Sequence, residues 1–180
     1  MRSMDENEQI KKSAPEEVMA AYTRGVIEQH DQWDSLHQFM ILGWDGQQVS
    51  CRVLAGIDPA VDPDQYPMML AGLAGQHLEE HPGEPPYAYL LQIEGWAAEG
   101  PGPRPSLRPD RIEIAVAVCA DIDGRLWACE KRRDRPGEIA EYFSASGEIQ
   151  VGGRFADTVR FLAAKARIRR AKGDGHAKPR

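Results

Sequence analysis

The stretch that decides the fold is FMILGWDGQQVSCRVL, residues 39–54. Two runs of strand-like composition flank Asp45-Gly46, and an Asp-Gly pair in that setting is typical of a two-residue type I′ hairpin. This hairpin would place Trp44 opposite Gln47. Its apolar side chains would then share one face of the sheet, and they are Met40, Leu42, Val49, Cys51 and Val53.

A second Asp-Gly pair, Asp123-Gly124, lies between apolar runs within residues 112–128. A tight turn at this pair places Ala120 opposite Trp127. An alternating strand at 87–93 precedes these two strands and is apolar on both of its faces. The sequence therefore predicts a three-stranded meander in the second half of the chain.

Three helices and one short hairpin complete the pattern. Apolar residues recur at helical spacing in three segments, which is typical of amphipathic helices. The first segment is 14–29, the second begins after the capping pair Asp62-Pro63, and the third is 154–170. A short hairpin with arms at 139–143 and 148–151 is expected before the last helix.

We therefore predict an α+β domain, an antiparallel sheet of about five strands with helices packed mainly on one face. The order is helix, hairpin, helix, three-stranded meander, helix. The domain spans 13–170 and contains a Pro-rich loop at 97–110, and we expect a disordered lead at 1–12 and a disordered basic tail at 171–180. This element order is similar to that of roadblock and profilin-like domains, and the resemblance implies a binding scaffold.

Charge is divided unevenly along the 180 residues, which carry a formal net charge of −6. Eight of the 22 basic residues but one of the 28 acidic residues lie in 160–180, so this segment carries +7 and the remainder −13. The basic helix and tail suggest an alternative function, contact with nucleic acid. The residues that would bind phosphates are Arg167, Arg169, Arg170 and Lys172.

The cysteines indicate the cellular compartment, and the absence of cofactor motifs excludes several classes of enzyme. The three cysteines lie in apolar runs without a C-x-x-C pair, so we interpret them as core thiols of a cytoplasmic protein: Cys51, Cys119 and Cys129. Residues 121–124 begin like a calcium loop, but Arg125 and Arg132 occupy positions that need oxygen ligands. The sequence holds no glycine-rich phosphate loop, so we predict no cofactor. No apolar run reaches the roughly 18 residues that a bilayer requires, so we expect no membrane contact.

His77-Leu78-Glu79-Glu80-His81 matches the inverted zinc-protease pattern H-x-x-E-H. Two histidines four residues apart lie on one helix face and can share a zinc ion, with Glu80 as general base. The sequence thus offers a second alternative, a metal-dependent hydrolase that uses His77, Glu80 and His81. Pro82 ends the helix directly after His81, and no nearby helix supplies a third ligand, so we expect these imidazoles to face solvent instead.

Tryptophan and arginine residues beside the predicted turns are the candidates for partner binding, because both residue types are enriched at interface hot spots. We expect a small non-catalytic adaptor that acts through protein–protein contacts. The candidate partner-binding residues are Trp44, Trp96, Trp127, Arg132, Arg133 and Arg135.

The apolar second face of strand 87–93 must be covered. A homodimer would cover it, and so would the final helix or the Pro-rich loop of the same chain. The frequent Ala, Gly, Arg and Pro residues are typical of a GC-rich bacterial or phage genome.

Overall fold

A computed structural model of the protein describes residues 15–174, which form three helices and six strands. Short 3-10 turns at Pro63–Gln65 and Pro105–Leu107 interrupt the connections before α2 and β4. In chain order the elements are α1 (Pro15–Glu28), β1 (His37–Trp44), β2 (Val49–Ile57), α2 (Tyr66–Glu80), β3 (Ala88–Ala97), β4 (Ile112–Asp121), β5 (Leu126–Arg132), β6 (Arg135–Ser144) and α3 (Arg154–Asp174).

The six strands form one antiparallel sheet in the order β2-β1-β3-β4-β5-β6. The predicted α+β class is confirmed, with six strands where about five were expected. Helices α2 and α3 pack on one face of the sheet, in agreement with the prediction that most helices share one face. Helix α1 packs alone on the opposite face. The molecule is therefore a three-layer sandwich with a core on each side of the sheet.

The central strand β3 is buried on both sides. Tyr89 and Leu91 enter the core beneath α2 and α3, whereas Ala88 and Leu90 enter the core beneath α1. Helix α1 thus covers the second apolar face of β3, the face of Ala88 and Leu90. The final helix and the Pro-rich loop, which were the expected alternatives, do not cover it. A dimer is no longer needed to explain that face.

The first hairpin differs from its predicted register. Trp44 lies opposite Val49, two positions beyond the expected partner, and the loop holds four residues. Only Gly46 of the loop has positive φ, at 98°, so the turn is not type I′. The Asp45 carboxylate accepts hydrogen bonds from the backbone N–H groups of Gln47 and Gln48 at 2.8 Å and so stabilises the longer loop. A shift of two preserves the side-chain faces.

The observed register of the second hairpin differs from the predicted register by one residue. Trp127 lies opposite Cys119, and the predicted pairing with Ala120 is wrong. The Asp121 carboxylate accepts from the backbone N–H groups of Asp123 and Arg125, which favours a three-residue turn over a two-residue turn. Because side chains alternate along a strand, this shift moves Trp127 onto the α1 face.

The region after β5 also departs from expectation. The predicted short hairpin is wrong, because β6 pairs with β5 and residues 148–151 form no strand. Ser144 accepts hydrogen bonds from the backbone of Gln150 and Val151, and these hold the segment as a loop. Helix α3 continues to Asp174, four residues into the predicted tail. The expected lead at 1–12 and residues 175–180 lie outside the described residues. None of the three helices in the described part of the chain is long and apolar enough to cross a membrane.

Replacing Gly46 by valine should lower the free energy of unfolding by roughly 1–3 kcal/mol, because a β-branched residue is strained at positive φ. Gly25→Ala is the matched control: Gly25 lies inside α1 with open space around it, so alanine should raise stability by about 0.5–1 kcal/mol. Urea unfolding measures both. Equal effects of the two substitutions would contradict the assigned turn.

Candidate functional site

A groove of about 370 Å³ runs between α1 and the last two strands of the sheet. Its floor is apolar: Trp127 and Cys129 project from β5, and Phe143 projects from β6 opposite Trp127. The rings of Trp127 and Phe143 lie 5.6 Å apart. We call this feature the α1–β6 groove.

Helix α1 forms one wall of the groove through Ala20, Glu16 and Glu17. Ion pairs tie this wall to the sheet at two places. Arg125 pairs with Glu16, and Arg24 pairs with Glu141 on β6. The wall and rim of the groove therefore carry carboxylates around an apolar floor.

Strand β6 is an open edge of the sheet. It pairs with β5 on one side, and no strand within residues 15–174 pairs with its other side. Tyr142 and Phe143 project to opposite faces of this edge and are 49% and 45% exposed. The first part of the edge is protected, because Pro136 and a register shift beside Arg132 interrupt the ladder.

The predicted partner-binding residues do not form one site. Trp127 is 5% exposed and lies in the floor of the α1–β6 groove, whereas Trp44 lies at the far end of β1. Trp96 lies at the opposite end of the sheet, where the Arg111 guanidinium stacks on its ring at 4.4 Å.

The three candidate arginines lie at the turn between β5 and β6, at the same end of the sheet as Trp96. Each pairs with a carboxylate: Arg132 with Asp134, Arg133 with Glu113, and Arg135 with Glu138. These guanidiniums are therefore already neutralised within the chain, which weakens the case for them as partner contacts.

Sequence reasoning missed most of the α1–β6 groove. Residue 143 was correctly placed in a strand, but that strand was paired with 148–151, so its approach to Trp127 was not foreseen. Glu16 and Glu17 lie in the first turn of α1, where acidic residues are common, and neither is among the residues predicted for a site. The available signal was the aromatic pair Tyr142-Phe143, which is unusual on a strand without a second apolar partner.

The thiols divide into two buried and one exposed. Burial raises the pKa of Cys119 to about 12 and that of Cys129 to about 11, so both remain protonated at neutral pH. Cys51 is exposed on β2, which corrects the expectation that all three lie in the core.

The H-x-x-E-H residues lie at the end of α2. The rings of His77 and His81 are 4.7 Å apart, and His81 lies 3.4 Å from the Arg52 guanidinium. Within residues 15–174, no third histidine, cysteine or carboxylate joins them at metal-ligand spacing. The geometry gives the hydrolase alternative no support. His77 is 6% exposed, so the expectation that both imidazoles face solvent is wrong for this residue. It lines a cavity of about 440 Å³ with Trp44 and Arg170.

The basic residues of α3 differ in their surroundings. Arg167, Arg169 and Lys172 are exposed. Arg170 is half-buried and donates hydrogen bonds to the carbonyl oxygen of Pro85, so it anchors α3 to the body of the protein.

Comparisons with protein-family models, with curated proteins and with solved structures each found no match.

Stability should fall as the pH is lowered through about 6.5. Burial lowers the pKa of His30, His37 and His77 below the ordinary value of 6.5. Above this pH both the folded and the unfolded chain hold the imidazoles neutral. Below it the unfolded chain binds protons that the folded chain does not, so the free energy of unfolding decreases.

The free energy of unfolding should be measured with urea from pH 7.5 to pH 5, because this range brackets the ordinary histidine pKa of about 6.5. His37→Gln should reduce the slope of stability against pH. A slope that is unchanged in this variant would show that His37 does not contribute.

Proposed function

We propose that the chain is a non-catalytic binding protein that docks an extended segment of a partner protein along β6, with apolar side chains of that segment in the α1–β6 groove. The observation that carries this proposal is the apolar groove directly beside an open strand edge. A strand added to β6 would gain backbone hydrogen bonds from the edge, and alternate side chains would enter the groove.

The charge around the groove defines the chemistry of the partner segment. Glu16, Glu17 and Glu141 line the groove. Glu16 and Glu141 already pair with Arg125 and Arg24, so Glu17 is the lining carboxylate that has no ion pair among the described residues. Residues 1–159 carry a net charge of −13. A partner segment that flanks its apolar residues with lysine or arginine would complement this rim and would be steered to it.

The lining of the groove supports binding over chemistry. Cys129 is its one nucleophilic thiol, and burial raises the pKa of this thiol to about 11. A protonated thiol is a poor nucleophile, and Glu141, the carboxylate opposite Cys129, is held in an ion pair by Arg24. The free thiols also favour a reducing compartment, so we propose a cytoplasmic location.

Peptides selected from a random library displayed on phage would test the groove. We expect selected sequences that alternate valine, isoleucine or aromatic residues and carry flanking lysine or arginine. Phe143→Asp should weaken their binding at least about tenfold, because it places a charge beside Trp127. Phe161→Asp is the matched control, since Phe161 is a comparably exposed phenylalanine on α3.

Hydrogen exchange locates the bound peptide. The amides of residues 138–143 should gain protection, and Glu17→Lys should weaken the binding of basic peptides. Equal affinity of wild type and Phe143→Asp would overturn the proposed site. A dimer in sedimentation that Phe143→Asp dissociates would make a second copy of the chain the occupant in place of a different protein.

Contact with nucleic acid remains a second candidate because Arg167, Arg169 and Lys172 are exposed on one helix. Binding of a labelled DNA duplex should then weaken steeply with salt, and the double variant R167A/R169A should flatten that dependence. No binding at low salt would exclude this function for the duplex tested.

A further inference from the structure

The cavity of about 440 Å³ at the end of β1 lies toward the edge of the sheet opposite the α1–β6 groove. Strand β1 pairs with β3 only as far as Leu42. Pro85 and Pro86 come directly before β3 and have no amide hydrogen, so the ladder cannot continue along Gly43 and Trp44. The cavity occupies the space that this missing pairing leaves, and we call it the β1 cavity.

Two guanidinium groups line the β1 cavity, and neither forms an ion pair with a carboxylate of residues 15–174. Arg52 projects from β2, and its Nη1 lies 3.4 Å from His81 Nε2. Arg170 on α3 donates through Nε and Nη2 to the carbonyl oxygen of Pro85, which leaves its Nη1 without a partner among those residues. Most of the other described arginines pair with an aspartate or a glutamate.

His77 is buried in the wall of the same cavity and is 6% exposed. Its imidazole lies against that of His81, with ring centroids 4.7 Å apart, and neither of its ring nitrogens has a hydrogen-bond partner in the described part of the chain. Burial lowers the pKa of His77, and His81 and Arg52 lower it further. Buried polar groups are normally hydrogen-bonded, so an acceptor bound in the cavity would complete the surroundings of this ring.

Two uncharged donors add to the lining of the cavity. Ser50 lies opposite Gly43, where a methyl group would overlap Ser50 Oγ, so glycine makes room for the hydroxyl. The Leu42 carbonyl accepts from the Tyr87 N–H at 2.8 Å. Because backbone groups alternate in direction along a strand, the Trp44 N–H points to the same side, where β3 supplies no partner.

The cavity also has two carboxylates, and both belong to exposed residues. The Asp45 carboxylate accepts hydrogen bonds from two backbone N–H groups of its own loop. Glu84 has no basic side chain within ion-pair distance among residues 15–174. Solvent and salt screen exposed charges most strongly, so these carboxylates oppose an anion less than half-buried Arg170 and buried His77 attract it.

We propose that the β1 cavity binds a small organic molecule that carries an oxyanion group, a carboxylate or a phosphate. Arg52, Arg170 and His77 hold the oxyanion, since guanidinium groups donate paired hydrogen bonds to both kinds of group. Trp44 and Pro86 contact the apolar body of the ligand. The volume of the cavity is typical of a small-molecule site. This binding does not depend on the function proposed for the α1–β6 groove.

Isothermal titration calorimetry of the full chain with phenyl phosphate, benzoate and inorganic phosphate tests the proposal. The organic probe that binds more tightly identifies the oxyanion as a phosphate or a carboxylate. This probe should bind at least about tenfold more tightly than inorganic phosphate, because its ring buries apolar surface. Arg52→Gln should weaken its binding at least about tenfold.

Arg104→Gln is the matched control and should leave the affinity unchanged. Arg104 is an exposed arginine of the Pro-rich loop, and like Arg52 it has no carboxylate partner in the described chain. Both variants change exposed side chains, so both should fold. In a nuclear magnetic resonance titration of the wild type, the Trp44 amide and the His77 ring should shift, whereas the amides of residues 138–143 should not.

Three results would overturn the proposed site. The first is no binding of either organic probe at millimolar concentration. The second is equal loss of affinity in Arg52→Gln and Arg104→Gln, which would show general attraction of anions to the protein surface. The third is equal affinity for inorganic phosphate and the organic probes, which would show that the cavity does not bind an apolar body.

Discussion

Burial of β3 on both faces is the constraint on which the other layers depend. A central strand with apolar side chains on each side cannot lie against water, so helices must be supplied above and below the sheet. Helix α1 meets this need on one side, and α2 with α3 meets it on the other.

The two faces of the sheet are covered unequally because one helix is narrower than a sheet of six strands. Six strands at about 4.8 Å spacing span about 24 Å, whereas one helix with its side chains is about 10 Å wide. A pair of helices nearly covers such a sheet, but α1 alone leaves both margins open. The α1–β6 groove occupies one margin, and a cavity of about 540 Å³ between α1 and β2 occupies the other. The grooves are therefore direct consequences of a three-helix, six-strand architecture.

Local patterns in the sequence were sufficient for the element order and the fold class. The alternation of Leu90 with Tyr89 and Leu91 located a strand buried on both faces, and Asp45-Gly46 located the first turn. The sequence could not specify the loop lengths, because these depend on the Asp45 and Asp121 carboxylates, which bind backbone amides only in the folded turns. The resulting one-residue error placed Trp127 on the wrong face.

The candidate sites were less predictable than the fold because they are assembled from distant segments. The α1–β6 groove combines Glu16 with Phe143, and a group of three carboxylates combines Asp34 with Glu94 and Glu113. No linear motif joins residues so far apart, and the one motif that the sequence did offer, His77 to His81, acquires no third ligand within the described chain. Pairing of β6 with β5 was the missing step for the groove.

Pro136 limits the length of an added strand that can pair with the open edge of β6. Proline has no amide hydrogen, and the register shift beside it leaves residues 136–138 without partners on β5. An incoming strand can therefore pair only along the second half of β6, over about six residues. An edge this short favours one alignment of the added strand and is a poor template for the continuous stacking of sheets found in fibrils. The same residue that restricts the length of a bound segment thus also protects the free protein from aggregation.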